Sequence, residues 1–334
     1  MGKLLEGKVA IVTGSGQGVG RAIALALAEE GATVVTNNRK KGKTETKQLT
    51  AEQIASMTEE ERAEMRRRQD EMAGDAETTA NTINERGGKA KHFFADISDF
   101  GAAEELVKFT AKEFGKIDIV CNIAGAFGFG SVTQITEETW DRVNGVKPKG
   151  YFNVIHFAAP YMMEQKWGRI INATSRAFLG DWILHPEYCA ANAGVVGLTR
   201  AVAIEMWPYN ITCNAFEPFA RTRAGAELDA AKNSVRNGDK LIMEGAPVPS
   251  FDFMPLPDHI TPFINYLCSD EAANISGSVF SLAANSIGMY STSTMQSTMT
   301  KYSPEKWTQE ELKMAVPMNL MRGYVSLADP SNKH

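Results

Sequence analysis

The sequence predicts an α/β fold, and three observations carry that prediction. An apolar run of buried-strand type, Val9-Ala-Ile-Val12, passes through a glycine-rich turn, Thr13-Gly-Ser-Gly-Gln-Gly-Val-Gly20, into an Ala/Leu-rich helix that ends near Glu30. A second apolar strand, Ala32-Thr-Val-Val-Thr36, follows directly. Two further strand-like runs, Ala90-Lys-His-Phe-Phe-Ala95 and Ile117-Asp-Ile-Val-Cys-Asn-Ile-Ala-Gly125, alternate with helical stretches, as in a sheet covered by helices.

The chain has 334 residues, 43% of them hydrophobic and 22% charged, enough to bury a sizeable core as one large domain or two ordinary ones. We read one domain over 1–290, with no internal repeat, and a C-terminal extension over 291–334. A net charge of -5 gives no overall electrostatic case for binding nucleic acid or an anionic membrane. Cys121, Cys189, Cys213 and Cys268 are far apart and form no Cys-x-x-Cys pair, so neither a zinc knuckle nor a disulfide framework is indicated. The histidines show no ligand spacing, and no metal site is expected. No apolar run approaches a bilayer span, the N-terminus lacks an export-type segment, and a cytoplasmic location is expected.

Strand, glycine turn and helix in that order form a cradle for a pyrophosphate. Glycines let the backbone approach, and the N–H groups and positive dipole end of the helix favour negative charge. Gly14, Ser15, Gln17, Gly18 and Val19 are the expected contacts. The bland alternative is a tight turn that binds nothing; the position of the turn and its flanking strands favour a nucleotide. The end of the second strand selects the cofactor: an acidic residue there would bind a ribose 2′-hydroxyl, and an Arg a 2′-phosphate. This chain has Asn37, Asn38, Arg39, Lys40 and Lys41, so NADP(H) is favoured over NAD(H), with Asn38 and Arg39 as contacts. Asp96 and Ile97 close the third strand at the adenine side, and Asn122, Ala124 and Gly125 close the fourth beside the cofactor.

An insertion over 40–74 follows the second strand. Its charged centre begins at Thr58, which forms a capping-box pattern with Glu61, and a surface helix is expected there. Gly74 separates it from a connecting helix over about 75–86.

The chemistry concentrates between Asn172 and Asn192. Ser175 and Tyr188 supply two hydroxyls able to polarise a carbonyl, but a phenol with a pKa near ~10 needs a nearby positive charge to exchange a proton at neutral pH. One helical turn beyond Tyr188, where that charge belongs, the sequence has Asn192. A Ser175–His185 hydrolase is disfavoured because Ser175 lies in no Gly-x-Ser-x-Gly elbow. His185 and Trp182 fit a substrate loop instead.

Thr13-Gly-x-x-x-Gly-x-Gly20, Asp96, Asn122-Ile-Ala-Gly125, Ser175 and Tyr188 occur in the order seen in short-chain dehydrogenases/reductases, and the chain resembles that family over most of its length. The resemblance implies a Rossmann-type, doubly wound parallel sheet, usually of seven strands, binding NAD(H) or NADP(H) and moving hydride to or from a carbonyl. The stretch Asn274–Phe280 with Ile287–Tyr290 loosely resembles the last strand of longer members, including dehydrogenase modules of acyl-CoA multifunctional enzymes. It makes an apolar acyl-CoA or ring compound a candidate substrate.

Against the family pattern, Lys147 stands in place of the tetrad Asn, Pro148 follows it, Asn192 replaces the tetrad Lys, and Pro218 is followed by Phe219 rather than Gly. Pro218 and Thr222 match cofactor-contacting positions. Two readings follow. In the first, the charge has moved: Lys147 reaches toward Tyr188 and the nicotinamide ribose, Asn192 keeps a hydrogen bond to a ribose hydroxyl, and the chain interconverts a small-molecule ketone and alcohol. In the second, the site is silent and the chain binds nucleotide or pairs with an active homologous subunit.

A segment over 219–258, rich in Pro, Phe and Met near its end, reads as a substrate lid with Arg221 and Arg223 available to an anionic group. Thr308 and Glu311 predict a short terminal helix. The resemblance places the helices near 137–165 and 188–206 in a subunit interface, implying a homodimer or homotetramer, or a mixed oligomer.

Overall fold

The computed structural model describes residues 3–42, 49, 51–55, 57–181, 184–226, 251–284, 286–292, 298–302 and 306–321. The chain forms two compact units, Met1–Tyr290 and Ser291–His334. In the first, strands β1 (Val9–Thr13), β2 (Thr33–Asn38), β3 (Lys89–Phe94), β4 (Ile119–Asn122), β5 (Gly168–Ala173), β6 (Ile211–Phe219), β7 (Val279–Ala283) and β8 (Ser286–Met289) build one sheet in the order β3-β2-β1-β4-β5-β6-β7-β8. β1 to β7 are parallel, and β8 returns antiparallel on β7, adding one strand to the usual seven.

Strand side chains alternate between the two faces, so each strand feeds two cores. Ala10 and Val12 of β1 lie in the core formed with helices α1 (Gly18–Glu29) and, in chain order, α9 (Thr261–Leu267). Ile11 lies in the opposite core, with α5 (Phe100–Phe114), α7 (Tyr151–Gln165) and α8 (Pro186–Met206). The order of strands reverses between β1 and β4, the crevice where open α/β sheets bind ligands.

The insertion contributes α2 (Ala51–Ala55) and α3 (Glu59–Glu71) before α4 (Ala76–Glu85). Thr58 and Glu61 make the full capping box on α3, and Asp75 and Thr78 make another on α4. In the second unit, Thr308 and Glu311 cap α10 (Gln309–Asn319).

Between α6 (Glu137–Asn144) and α7 the chain passes through a wide-turn segment, Gly145–Gly150, within which Lys147 is extended (φ -128, ψ 129). A residue preceding proline is sterically pushed out of helical geometry, so Pro148 accounts for the break in what would otherwise be one helix. No helix among the described residues is long and apolar enough to cross a membrane.

Candidate active site

A cleft of about 260 Å³ opens at the C-terminal ends of β1, β2, β4 and β5. The glycine turn forms its floor. Gly14 has φ +64, and a side chain there would put its Cβ 2.7 Å from Ala124 Cα, so only glycine lets β1 and β4 close up at this point. Thr13 Oγ1 accepts the N–H groups of Ile123 and Ala124 and fixes that approach.

Most of the residues expected at a cofactor line this cleft. Gly14, Gln17, Gly18 and Val19 do so from the turn, and Asn38 and Arg39 from the end of β2. Asp96 and Ile97 face it from the segment after β3, Ala124 and Gly125 from that after β4, and Pro218 and Thr222 from the end of β6 and the segment beyond it. Asn38 Oδ1 is buried without a hydrogen-bond partner. Asp96 Oδ1 accepts from Ser98 N and Oγ, which holds the carboxylate at the cleft edge.

Two expected contacts turn away. Ser15 is fully buried, with its hydroxyl accepting the Asn37 N–H at 2.8 Å, so it joins the turn to β2. Asn122 is also fully buried and donates to Asn172 Oδ1, whose amide in turn donates to Thr199 Oγ1. This polar chain runs beneath the cleft, from β4 through β5 to α8, because strand alternation aims position 122 away from the opening.

At the far end of the cleft the reactive groups converge. Lys147 Nζ donates to Ala173 O at 2.7 Å and to Asn192 Oδ1 at 3.4 Å, and lies 5.9 Å from the centre of the Tyr188 ring. The extended backbone at Lys147 directs the side chain inward, past Gly125 to the end of β5. Asn192 is fully buried, with Nδ2 donating to Tyr188 O and Oδ1 within reach of Thr174 Oγ1. Its amide is thus engaged inside the protein. Asn192 is not among the residues that line the cleft, whereas Lys147 is.

Burial sets the proton affinities. It pushes the Lys147 ammonium down to about 7. It pushes the Tyr188 phenol up to about 12, against hydrogen bonds from Ser175 and Asn192 that favour the phenolate. Near neutral pH, Lys147 therefore populates both charge states and Tyr188 holds its proton. Ser175 follows β5 and its Oγ also accepts the Ala177 N–H, opening a short 3₁₀ turn, Arg176–Leu179.

Several residues that shape the site carried no sequence signal. The buried Tyr151 hydroxyl reaches both Ala124 O and Ala173 O, joining the chain just beyond β4 to the end of β5. Arg142 of α6 donates to Phe127 O, and the buried Glu187 of α8 accepts the Gly128 N–H; together they hold Phe127 against the Tyr188 ring, 4.7 Å between centres. His185 packs on the Phe129 and Tyr188 rings, whereas Trp182 lies outside the described residues.

The lid expected over 219–258 is described at its two ends, with 227–250 outside the described residues. There the arginines have internal partners. Arg221 donates to Met254 O and Asp252 O, and Arg223 donates to Gln17 Oε1.

Comparison with known proteins agrees with this architecture. Residues 8–67 and 51–232 match a family model described as short chain dehydrogenase. The chain is 35% identical over 214 residues, 64% of its length and 73% of the relative's, to the (2S)-[(R)-hydroxy(phenyl)methyl]succinyl-CoA dehydrogenase subunit BbsD of Thauera aromatica. It is 31% identical over 289 residues, 83% of its length and 77% of the relative's, to the hydroxyacyl-CoA dehydrogenase ChsB1 of Mycobacterium tuberculosis. Among solved structures, a short chain dehydrogenase from Mycobacterium avium superposes with a TM-score of 0.73 at 28% identity, covering 97% of this chain and 98% of that one.

Proposed function

The chain belongs to the short-chain dehydrogenase/reductase family of oxidoreductases, and from that premise we propose that it interconverts a ketone and a secondary alcohol on an apolar acyl thioester with NADP(H) as cofactor. The residues present suit a dinucleotide. Gly14 admits close backbone approach, the α1 N-terminus faces the cleft, and Asn38 Oδ1 is a buried acceptor in need of a donor such as a ribose hydroxyl. Arg39, exposed just beyond β2 and lining the cleft, supports a 2′-phosphate. Two relatives known as CoA-thioester dehydrogenases, from Thauera aromatica and Mycobacterium tuberculosis, support the substrate class.

When bound, the nicotinamide supplies the hydride. The chain's own groups handle the proton. In the reductive direction the Tyr188 hydroxyl donates to the carbonyl oxygen, Ser175 Oγ holds that oxygen, and the Lys147 ammonium stabilises the phenolate left behind. The observation that carries this reading is the Lys147 amine beside both Asn192 and the Tyr188 ring. Mixing the purified chain with NADPH or NADH and a panel of 3-oxoacyl-CoA thioesters and simple ketones tests it through nicotinamide absorbance. A wild type inert toward the whole panel sinks the enzymatic reading.

One observation favours a second reading, in which the chain is a silent partner of an active homologous subunit. One helical turn beyond Tyr188, where the charge that activates the phenol belongs, stands Asn192, whose amide is engaged within the protein. The Thauera relative is itself named as a subunit. Under this reading Asn192→Lys restores turnover that the wild type lacks.

A further inference from the structure

The insertion over 40–74 has no role in the chemistry above, yet α3 meets the cofactor cleft through a continuous set of contacts. Arg68, one turn from the end of α3, is oriented by Glu64, which accepts its Nε at 2.7 Å. From there Arg68 Nη2 reaches Asp252 Oδ2 at 3.2 Å, and its guanidinium lies 4.9 Å from the centre of the buried Phe251 ring. Arg221 approaches the same ring at 5.7 Å and donates to Asp252 O. Phe251 packs with Ala226 and Met254, and Met72, just beyond α3, and Phe219, at the end of β6, lean on that cluster.

The two ends of this assembly both touch the glycine turn. On one side Arg223, two residues beyond Arg221, donates to Gln17 Oε1 at 2.7 Å, and Thr222 and Arg223 line the cleft opposite Gly18. On the other, the backbone at 74–75 lies so close over the turn that a Cβ at Gly16 would come 2.5 Å from Asp75 Cα. Thr79 Oγ1 donates to Ser15 O and completes the buttress. The 218–224 wall and the floor of the cleft are thus held to one another through α3.

We propose that Arg68 is a positioning residue for cofactor retention: by gripping Phe251 and Asp252 it holds the Arg221–Arg223 wall against the glycine turn, and so slows release of the dinucleotide. The inference rests on the reading that this cleft binds NADP(H). The grip has ionic and aromatic parts. The ion pair has one well-covered and one exposed member, with side-chain exposures of 14% for Arg68 and 67% for Asp252. The guanidinium face on an aromatic ring adds an attraction that is stronger where water is excluded.

Charge reversal tests the proposal. NADPH affinity is measured by calorimetry and NADPH release by stopped-flow fluorescence on the full chain, for wild type, Arg68→Asp, Asp252→Arg and the double variant, with thermal melting alongside. Each single reversal is expected to speed release by roughly fivefold or more while the melting temperature moves by no more than about 2 °C, and the double variant is expected to recover most of the loss. Arg68→Gln, which keeps the aliphatic stem packed, gives an intermediate rate and serves if a reversal fails to fold. Unchanged release in Arg68→Gln and in both reversals, or a double variant no slower than the singles, overturns the proposal while leaving cofactor binding intact. A wild type that binds neither NADPH nor NADH overturns the cofactor reading itself.

Discussion

The Lys147 ammonium nitrogen lies 3.4 Å from Asn192 Oδ1, joining two residues 45 positions apart in the chain. The amide occupies the helix position where the family pattern puts a lysine, and the amine arrives from the neighbouring segment that the pattern reserves for an asparagine. Amide and amine have exchanged places while staying within hydrogen-bond reach. This exchange requires Lys147 to leave helical geometry, which the following proline enforces.

Lys147→Met is expected to lower kcat by about 100-fold or more, with NADPH affinity changed by no more than about threefold, because a phenolate without a neighbouring cation is the costly species. Steady-state kinetics paired with calorimetry check both halves. A matching loss of affinity and turnover would reassign Lys147 to binding. In an active wild type, Asn192→Lys should lower turnover, since it buries a second ammonium beside the first.

The stability of the folded chain should depend on pH through the same amine. Folded Lys147 releases its proton near 7, against an ordinary 10.5, so between those values the unfolded chain binds more protons and stability rises with pH. The contribution is about 1.4 kcal/mol per pH unit. Melting curves of wild type and Lys147→Met should therefore differ most in the variant's favour near pH 7 and converge toward pH 10. Between 10 and about 12 Tyr188 works in the opposite sense, because the folded phenol keeps a proton that the unfolded one loses. A gap that stays flat from pH 7 to 10 would show that Lys147 keeps an ordinary pKa.

Arg39→Ala should weaken NADPH by about tenfold, roughly 1.4 kcal/mol, and leave NADH within about twofold, since the side chain would meet only the 2′-phosphate. Titration of both cofactors into both proteins gives the ratio. Equal losses for the two would place Arg39 against some other part of the nucleotide.

Helices α6 to α8, which the family resemblance places in a subunit interface, expose Trp140, Phe152 and Ile204, with Trp207 just beyond. Light scattering should find a dimer or larger, and Phe152→Glu with Ile204→Glu should shift it toward monomer. A monomeric wild type at high concentration would point instead to a different subunit as the natural partner.

Local signals carried much of the architecture. Strand alternation, the glycine turn and the Thr58 and Thr308 capping boxes each depend on residues a few positions apart, and each is found within a residue or two of its expected place. The site was legible where backbone geometry alone puts a residue at the cleft, as at Gly14, Asn38 and Thr222. It was less legible where a side chain had a choice of partners. Asn122 chose Asn172, Ser15 chose Asn37, and Arg223 chose Gln17, and each choice depends on what another strand or loop presents. Tyr151 gave no warning of its role, because an aromatic residue near the start of a helix reads as core until two strand ends are known to converge on its hydroxyl.

The Gly42 N–H donates to Asp75 Oδ2 at 2.7 Å, so two residues 33 positions apart in the chain meet at one point of the fold. Helices α2 and α3, which lie between them, are a graft on a closed stem. The entropy of closing such a loop grows only with the logarithm of its length, so lengthening, shortening or exchanging it leaves the sheet nearly indifferent. If α3 sets cofactor retention as proposed, replacing this one cassette would retune it without altering a residue that touches the reacting atoms.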